Sequence, residues 1–510
     1  MKKITKLLFL PVMMTSLSLT SCLSLLFGGI NTDTIEKATI KYTYNDYVNH
    51  NYFDIDGTPV SGNPKILVVP VWFNDSANYI PVTKKSKVRE DIEKTYFGSN
   101  NDTGWRSVKT YYQELSQNKM NLNGVVTDWY ECGRSSSYFY TLDEGQNRTN
   151  LLVSEAVEWY KTSKGLTNLK DFDTDHNGYL DGVMLIYGCP DYATMLKDSA
   201  PNLWAYCYWL QNEDRNVNNP KPNVFFWASY DFMYGVTTAP STYHGGDTNH
   251  CKLDTHTYIH EMGHMFGLED YYDYSGQYSP AAGFSMQDMN VGSHDPYSVM
   301  ALGWAEVYVP TSNCTLALKN FQDSHQLILL SDYFSNSPFD EYLLLELYSP
   351  TGLNNFDSTY QYSGMYPKGP SSSGIRLWHV DGRLLSVDKE TGNINDYSTK
   401  INSNGYYVHA MSNTYHKADS DSESYISPLG EDFADYNILQ LIRNNKSATY
   451  HHKEGFTAQD LFTSGDSFKM SSYSKQFVKG TKMNGGWNLG WSFTIEKLSS
   501  SAATIRFTKS

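Results

Sequence analysis

The sequence predicts an α+β protein in two parts: strands and helices mixed over residues 61–310, then a β-rich, sandwich-like region over 311–510. Three observations carry this. Two long apolar runs of strand type lie in the first part. Amphipathic segments of helical length separate and follow them. After about residue 310 the texture changes to short alternating runs divided by turn clusters.

The first run, Lys65–Phe73 (KILVVPVWF), is β-branched and apolar, as a buried strand is. Pro70 inside it predicts an edge position or a bulge, because proline brings no N–H to a ladder. Ser107–Leu115 reads as a helix, followed by strand-like Gly124–Val126, and Asn150–Tyr160 reads as a second helix. Gly182–Tyr187 (GVMLIY) is a second buried strand. Residues 190–250, rich in aromatic residues, Asn and Pro, read as an irregular surface segment over a cleft. A helix is expected from about Thr255 to Phe266. Asp254 or Thr255 is placed to cap its start, and Gly267 to end it in the left-handed conformation.

Beyond residue 310 the strand candidates are Leu316–Leu318, Leu327–Leu330, Tyr342–Leu347, Gly374–Val380, Trp491–Ile495 and Ala503–Phe507. Asp419–Ser424 (DSDSES) is an acidic loop. Eleven Trp, 23 Phe and 41 Tyr in 510 residues are ample for sizeable cores. A net charge of −15 with only 19% charged residues excludes the basic footprint of a nucleic-acid binder. No repeat of collagen, coiled-coil or mucin type is present.

The first 21 residues read as a lipoprotein signal peptide. Lys2, Lys3 and Lys6 precede an apolar stretch from Leu7 to about Leu19, too short for an ordinary membrane span, and Leu19-Thr20-Ser21-Cys22 resembles a bacterial lipobox. Cys22 is then the lipidated new N-terminus, and loss of three lysines takes the net charge to −18. The expected location is the extracellular face of the cell membrane, with release from it as the alternative. Residues 22–60 read as a tether or pro-segment. Five cysteines remain (Cys132, Cys189, Cys207, Cys251, Cys314), without a CxxC pair, which argues against a disulfide framework.

The chemistry is concentrated at His260-Glu261-Met262-Gly263-His264. Side chains at i and i+4 of a helix share a face, so both imidazoles reach one ion. Glu261 lies beside that ion without being a ligand, placed to take a proton from its water. In metzincin-type sites a glycine then breaks the helix and a third ligand follows. Gly267 and Asp270 hold those positions here, and a carboxylate is a sound zinc ligand.

This stretch, HEMGHMFGLEDYYD, resembles the HExxHxxGLxDxYD pattern of the M6 metallopeptidases, the immune inhibitor A group. The resemblance extends to the KILVVPVWFND strand, Ser107–Met120, the Asp171–Gly188 loop and strand, Phe284–Trp304, Glu341–Glu346 and Gly374–Asp381. It covers about residues 60–385. It implies a metzincin-like catalytic domain, zinc and hydrolysis of proteins. In metzincins a methionine turn floors the metal. The matching segment places Gln287 where the methionine is expected, with Met286 and Met289 as the other candidates.

Alternatives stay open at several positions. His256 shares the face of His260 as a further ligand or a partly exposed helix residue. Glu269 competes with Asp270 as third ligand, and a thermolysin-like glutamate further downstream would displace both. Asp273 orients a ligand or closes a turn. His294 steadies an oxyanion or makes a structural hydrogen bond. Asp173, Asp175, Asn177, Tyr179 and Asp181 match the early positions of a calcium loop, but Met184 stands where the bidentate glutamate belongs. His379 and Asp381 read as structural. The sequence therefore predicts a monomeric, lipid-anchored zinc endopeptidase, with calcium as a second candidate ion and protein or peptide as substrate. A surface adhesin on a protease scaffold is the alternative.

Overall fold

A computed structural model describes residues 34–211, 214–235, 252–362, 366–414 and 436–510. The signal peptide with Cys22, Cys251 and the Asp419–Ser424 loop lie outside the described residues. The chain is a mixed α/β structure built on several sheets. The first runs in the order Asn123–Val126, Lys65–Trp72, Val183–Tyr187, Val224–Ser229, Tyr206–Trp209, and Tyr130–Glu131 also pairs with Lys65–Trp72. Its pairings are parallel except for the antiparallel edge strand Tyr206–Trp209.

Strand alternation divides the apolar side chains between two layers. Ile66, Val68, Met184, Ile186 and Phe226 face the helices Lys85–Phe97 and His256–Met265, where Ile92, Tyr96, Tyr258 and Ile259 meet them. Leu67, Val69, Leu185, Phe225 and Trp227 face the long helix Leu142–Ser163 through Leu152, Val153 and Ala156. Sheet order thus places the helix of the HExxH motif against one face.

Pro70 is not at an edge, since Lys65–Trp72 has partners on both sides. Leu67 N–H donates to Gly182 O and Val71 O accepts from Gly188, so the odd-numbered residues face Val183–Tyr187. Pro70 therefore faces the other side, where the partner chain is interrupted between Val126 and Tyr130, and its missing N–H leaves no acceptor stranded. The 190–250 segment also departs from expectation. Val224–Ser229 within it is a fully buried inner strand, and its aromatic content fills the core.

The second sheet, in the order Ile35–Lys37, Glu306–Pro310, Gln326–Leu330, Glu341–Tyr348, Gly374–Asp381, Leu439–Ile442, has two apolar faces. Leu327, Leu329, Leu344 and Trp378 join the core of the site helix. Ile328, Leu343, Leu345 and Leu377 pack on Leu316, Phe493, Ile505 and Phe507 of a four-stranded sheet made of Cys314–Lys319, Ser467–Lys469, Trp491–Leu498 and Ala502–Lys509. Two facing sheets form the sandwich-like part, and one core runs across residue 310.

Residues 34–60, expected as tether or pro-segment, are part of this body. Ile35–Lys37 pairs with Glu306–Pro310, and the short helix Tyr44–Val48 starts with a capping box between Thr43 and Asp46. Tyr44 is fully buried among Tyr47, Tyr297 and Phe339, with ring centroids 5.8, 6.2 and 5.8 Å away. Among the described residues no helix is long and apolar enough to cross a membrane. Cys132, Cys189, Cys207 and Cys314 are free thiols. Tyr44→Ala should cost about 3–5 kcal/mol of stability in denaturant unfolding, the range for loss of a buried ring. A cost within a few tenths would mean that this segment does not hold the core together.

Candidate metal centre

The site helix spans His256–Met265. Thr255 is its N-cap residue but makes no side-chain cap. Asp254 Oδ1 accepts from His256 N–H at 3.0 Å instead. At the other end Leu268 N–H donates to Gly263 O and Gly267 N–H to His264 O, the two bonds of a Schellman motif. Gly267 has φ +96°, and a Cβ there would lie 2.3 Å from Val48 Cγ2, so conformation and packing both require glycine. The chain then turns back under the helix.

That reversal brings Asp270 to the two histidines. Asp270 Oδ1 lies 3.1 Å from His260 Nε2 and 3.2 Å from His264 Nε2, and the two Nε2 atoms are 3.2 Å apart. His260 Nδ1 donates to Met286 O and His264 Nδ1 to Leu268 O, each at 2.7 Å. A carbonyl only accepts, so each Nδ1 carries the ring proton and each Nε2 keeps its lone pair. Three electron-pair donors therefore face one another with no proton of their own between them. Asp270 Oδ1 has no hydrogen-bond donor, and Oδ2 accepts from Tyr274 O–H at 2.5 Å.

The electrostatics show the same demand for a cation. A proton competes with a metal cation for this place: burial opposes charge on His264, yet the neighbouring Asp270 carboxylate raises this imidazole to about 10. Burial would raise Asp270, but the two imidazoles hold it well below the usual carboxylate range. Glu261, one residue after the first histidine, is 5% exposed, and its Oε2 has no partner. Burial raises its pKa, the two imidazoles pull it down, and Asp270 adds a smaller upward push.

His256 is buried, not partly exposed. It lies 5.2 Å from both the Tyr362 and Tyr366 rings, outside the donor group, and burial followed by the neighbouring His260 lowers it to about 3. Glu269 is not among the three converging donors, and burial raises it to about 7. Asp273 closes a turn by accepting from the backbone N–H groups of Ser275, Gln277 and Tyr278. His294 is buried between Tyr111 and Gln287, which hydrogen-bond to its two ring nitrogens. Of the three floor candidates, Gln287 packs its side chain against His264. Gly263 makes room for that side chain.

Tyr274 and the two carbonyls that fix the histidine tautomers were not among the sequence candidates. The YYDY run directly after Asp270 was the available signal for Tyr274.

Asp173, Asp175 and Asp181 form a second group with oxygens within 4.8 Å. Asp173 accepts from the Asn177 and Gly178 N–H groups, Asn177 Oδ1 accepts from Tyr179 N–H, and Asp181 ties the loop to Thr174 and to Lys65 N–H. His379 and Asp381 are held in a buried network with Glu341 and Arg383.

Gly263→Ala would put a Cβ 2.2 Å from Gln287 Oε1. It should cost about 1–3 kcal/mol by overpacking, read as a lower unfolding midpoint. An unchanged or raised midpoint would show that Gln287 is not held there. Residues 57–296 match the family described as immune inhibitor A peptidase M6, catalytic domain. No curated protein matches the chain.

Proposed function

From the match of residues 57–296 to the M6 peptidase catalytic domain, we propose that this protein is a zinc endopeptidase acting on proteins. The observation that carries this reading is the meeting of His260 Nε2, His264 Nε2 and Asp270 Oδ1 beside the unpartnered Oε2 of Glu261. The donor set suits zinc. Two neutral imidazoles and one carboxylate match the three protein ligands of catalytic sites that keep a position open. Each imidazole is also fixed through its second nitrogen, as metal-bound histidines are.

When bound, the metal supplies a lowered water pKa and polarisation of the scissile carbonyl. His260, His264 and Asp270 would hold it, and Tyr274 would steady Asp270 through its second oxygen. Glu261 accepts the proton of the attacking water at Oε2 and later delivers it to the leaving amine. Burial leaves Oε2 of that carboxylate without a hydrogen-bond donor, so it is open to accept one. The adhesin alternative draws no support from a site whose base and three donors are all in place.

Glu261→Gln should lower kcat on casein by about 10²–10⁴-fold, the contribution of a general base, while zinc content stays at the wild-type level. Wild-type rates from purified Glu261→Gln would sink the assignment. Calcium at the Asp173 loop is a proposal of the same kind, supported by its three converging carboxylates. Added calcium should then raise the melting temperature of the zinc-loaded protein. An unchanged melting temperature refutes calcium there and leaves the zinc reading intact.

A further inference from the structure

The floor beneath the candidate metal centre is a carboxamide. Gln287 is fully buried, and its Nε2 lies 3.4 Å from both Nδ1 and Nε2 of His264. Equal distances to the two ring nitrogens place the amide on the face of the imidazole. The in-plane directions are already taken, Nδ1 by Leu268 O and Nε2 by the donor group.

The other end of the amide is anchored. Gln287 Oε1 lies 3.2 Å from His294 Nε2, and His294 Nδ1 lies 2.8 Å from the Tyr111 hydroxyl. An amide oxygen only accepts, so His294 Nε2 is the donor, and its Nδ1 shares the single Tyr111 O–H with Gly292 O, 2.9 Å from that hydroxyl. This leaves the N–H groups of Gln287 directed at the His264 ring, a weak but orienting contact. The backbone adds to it. Met286 O accepts from His260, and Gln287 O accepts from the N–H of Tyr271, the residue after Asp270. Residues 286 and 287 thus touch both histidines and the neighbour of the third donor. A buried amide costs about 1–3 kcal/mol where it is not hydrogen-bonded, and an apolar side chain of similar length would fill the same space without that cost.

We propose that Gln287 is a positioning residue for the metal centre: the Tyr111–His294 chain holds its carboxamide against the face of His264 and so sets the direction of that ring. The inference rests on the zinc reading above. It also couples the centre to Tyr111, on the helix Val108–Leu115.

The test uses the full chain, with zinc affinity read by chelator competition and ring geometry read by the visible spectrum of the cobalt-substituted protein. Gln287→Met keeps the length and removes the amide. Tyr111→Phe removes the hydroxyl at the far end, with its bonds to His294 and to Gly292 O. Each should weaken zinc binding by about tenfold or more, the usual cost of losing a group that orients a ligand. Each should also shift the cobalt spectrum, while the melting temperature of the metal-free protein changes little. Wild-type affinity and spectrum in Gln287→Met would overturn the proposal. Should that variant fail to fold, wild-type values in Tyr111→Phe do so alone. Failure of the unsubstituted protein to bind zinc or cobalt would instead bring down the zinc reading and this inference with it.

Discussion

Two imidazoles one helical turn apart make half of a metal site, and the rest depends on where the chain goes next. The constraint that decides this is the left-handed turn at Gly267. Its Schellman bonds end the helix, present the Leu268 carbonyl to His264, and send Asp270 back beneath both rings. With a Cβ at this position the turn would be strained and would run into Val48. The cation site therefore depends on a backbone conformation as much as on its donors, and that conformation depends on a segment more than two hundred residues earlier in the chain.

The molecule supports this turn from all sides. The largely parallel sheet carries the site helix on one face. The Tyr44–Val48 helix blocks the far side of the turn, and Tyr112 donates to Ile259 O from a third direction. The second sheet closes the core across residue 310, so the β-rich part is continuous with the ground on which the site stands. Such burial on several sides is what a preformed site needs, since it locks the directions of the three donors.

The local chemistry was legible in the sequence because it depends on short-range rules. The i, i+4 spacing of His260 and His264 and the helix stop at Gly267 follow from helix geometry and turn residues, and the place of Asp270 was implied by the resemblance to the M6 pattern. The strands Glu341–Tyr348 and Gly374–Asp381 were legible for the same reason, through runs of apolar side chains. What was missed depends on partners distant in sequence. Pro70 reads as an edge residue until the gap opposite it is seen. Val224–Ser229 reads as surface because its aromatic residues find their cover only in the folded sheet. His256 reads as partly exposed because Tyr362 and Tyr366, which cover it, come about a hundred residues later. Residues 34–60 carry no periodic pattern, and the docking of their few tyrosines is a tertiary event.

The central claim is that one zinc ion lies among His260, His264 and Asp270. X-ray absorption at the zinc edge of the purified protein tests it most directly. The account predicts a first shell of two imidazole nitrogens and carboxylate or water oxygens, at about 2.0–2.2 Å, with no sulfur. A shell containing sulfur at about 2.3 Å, or one without imidazole scattering, would contradict it.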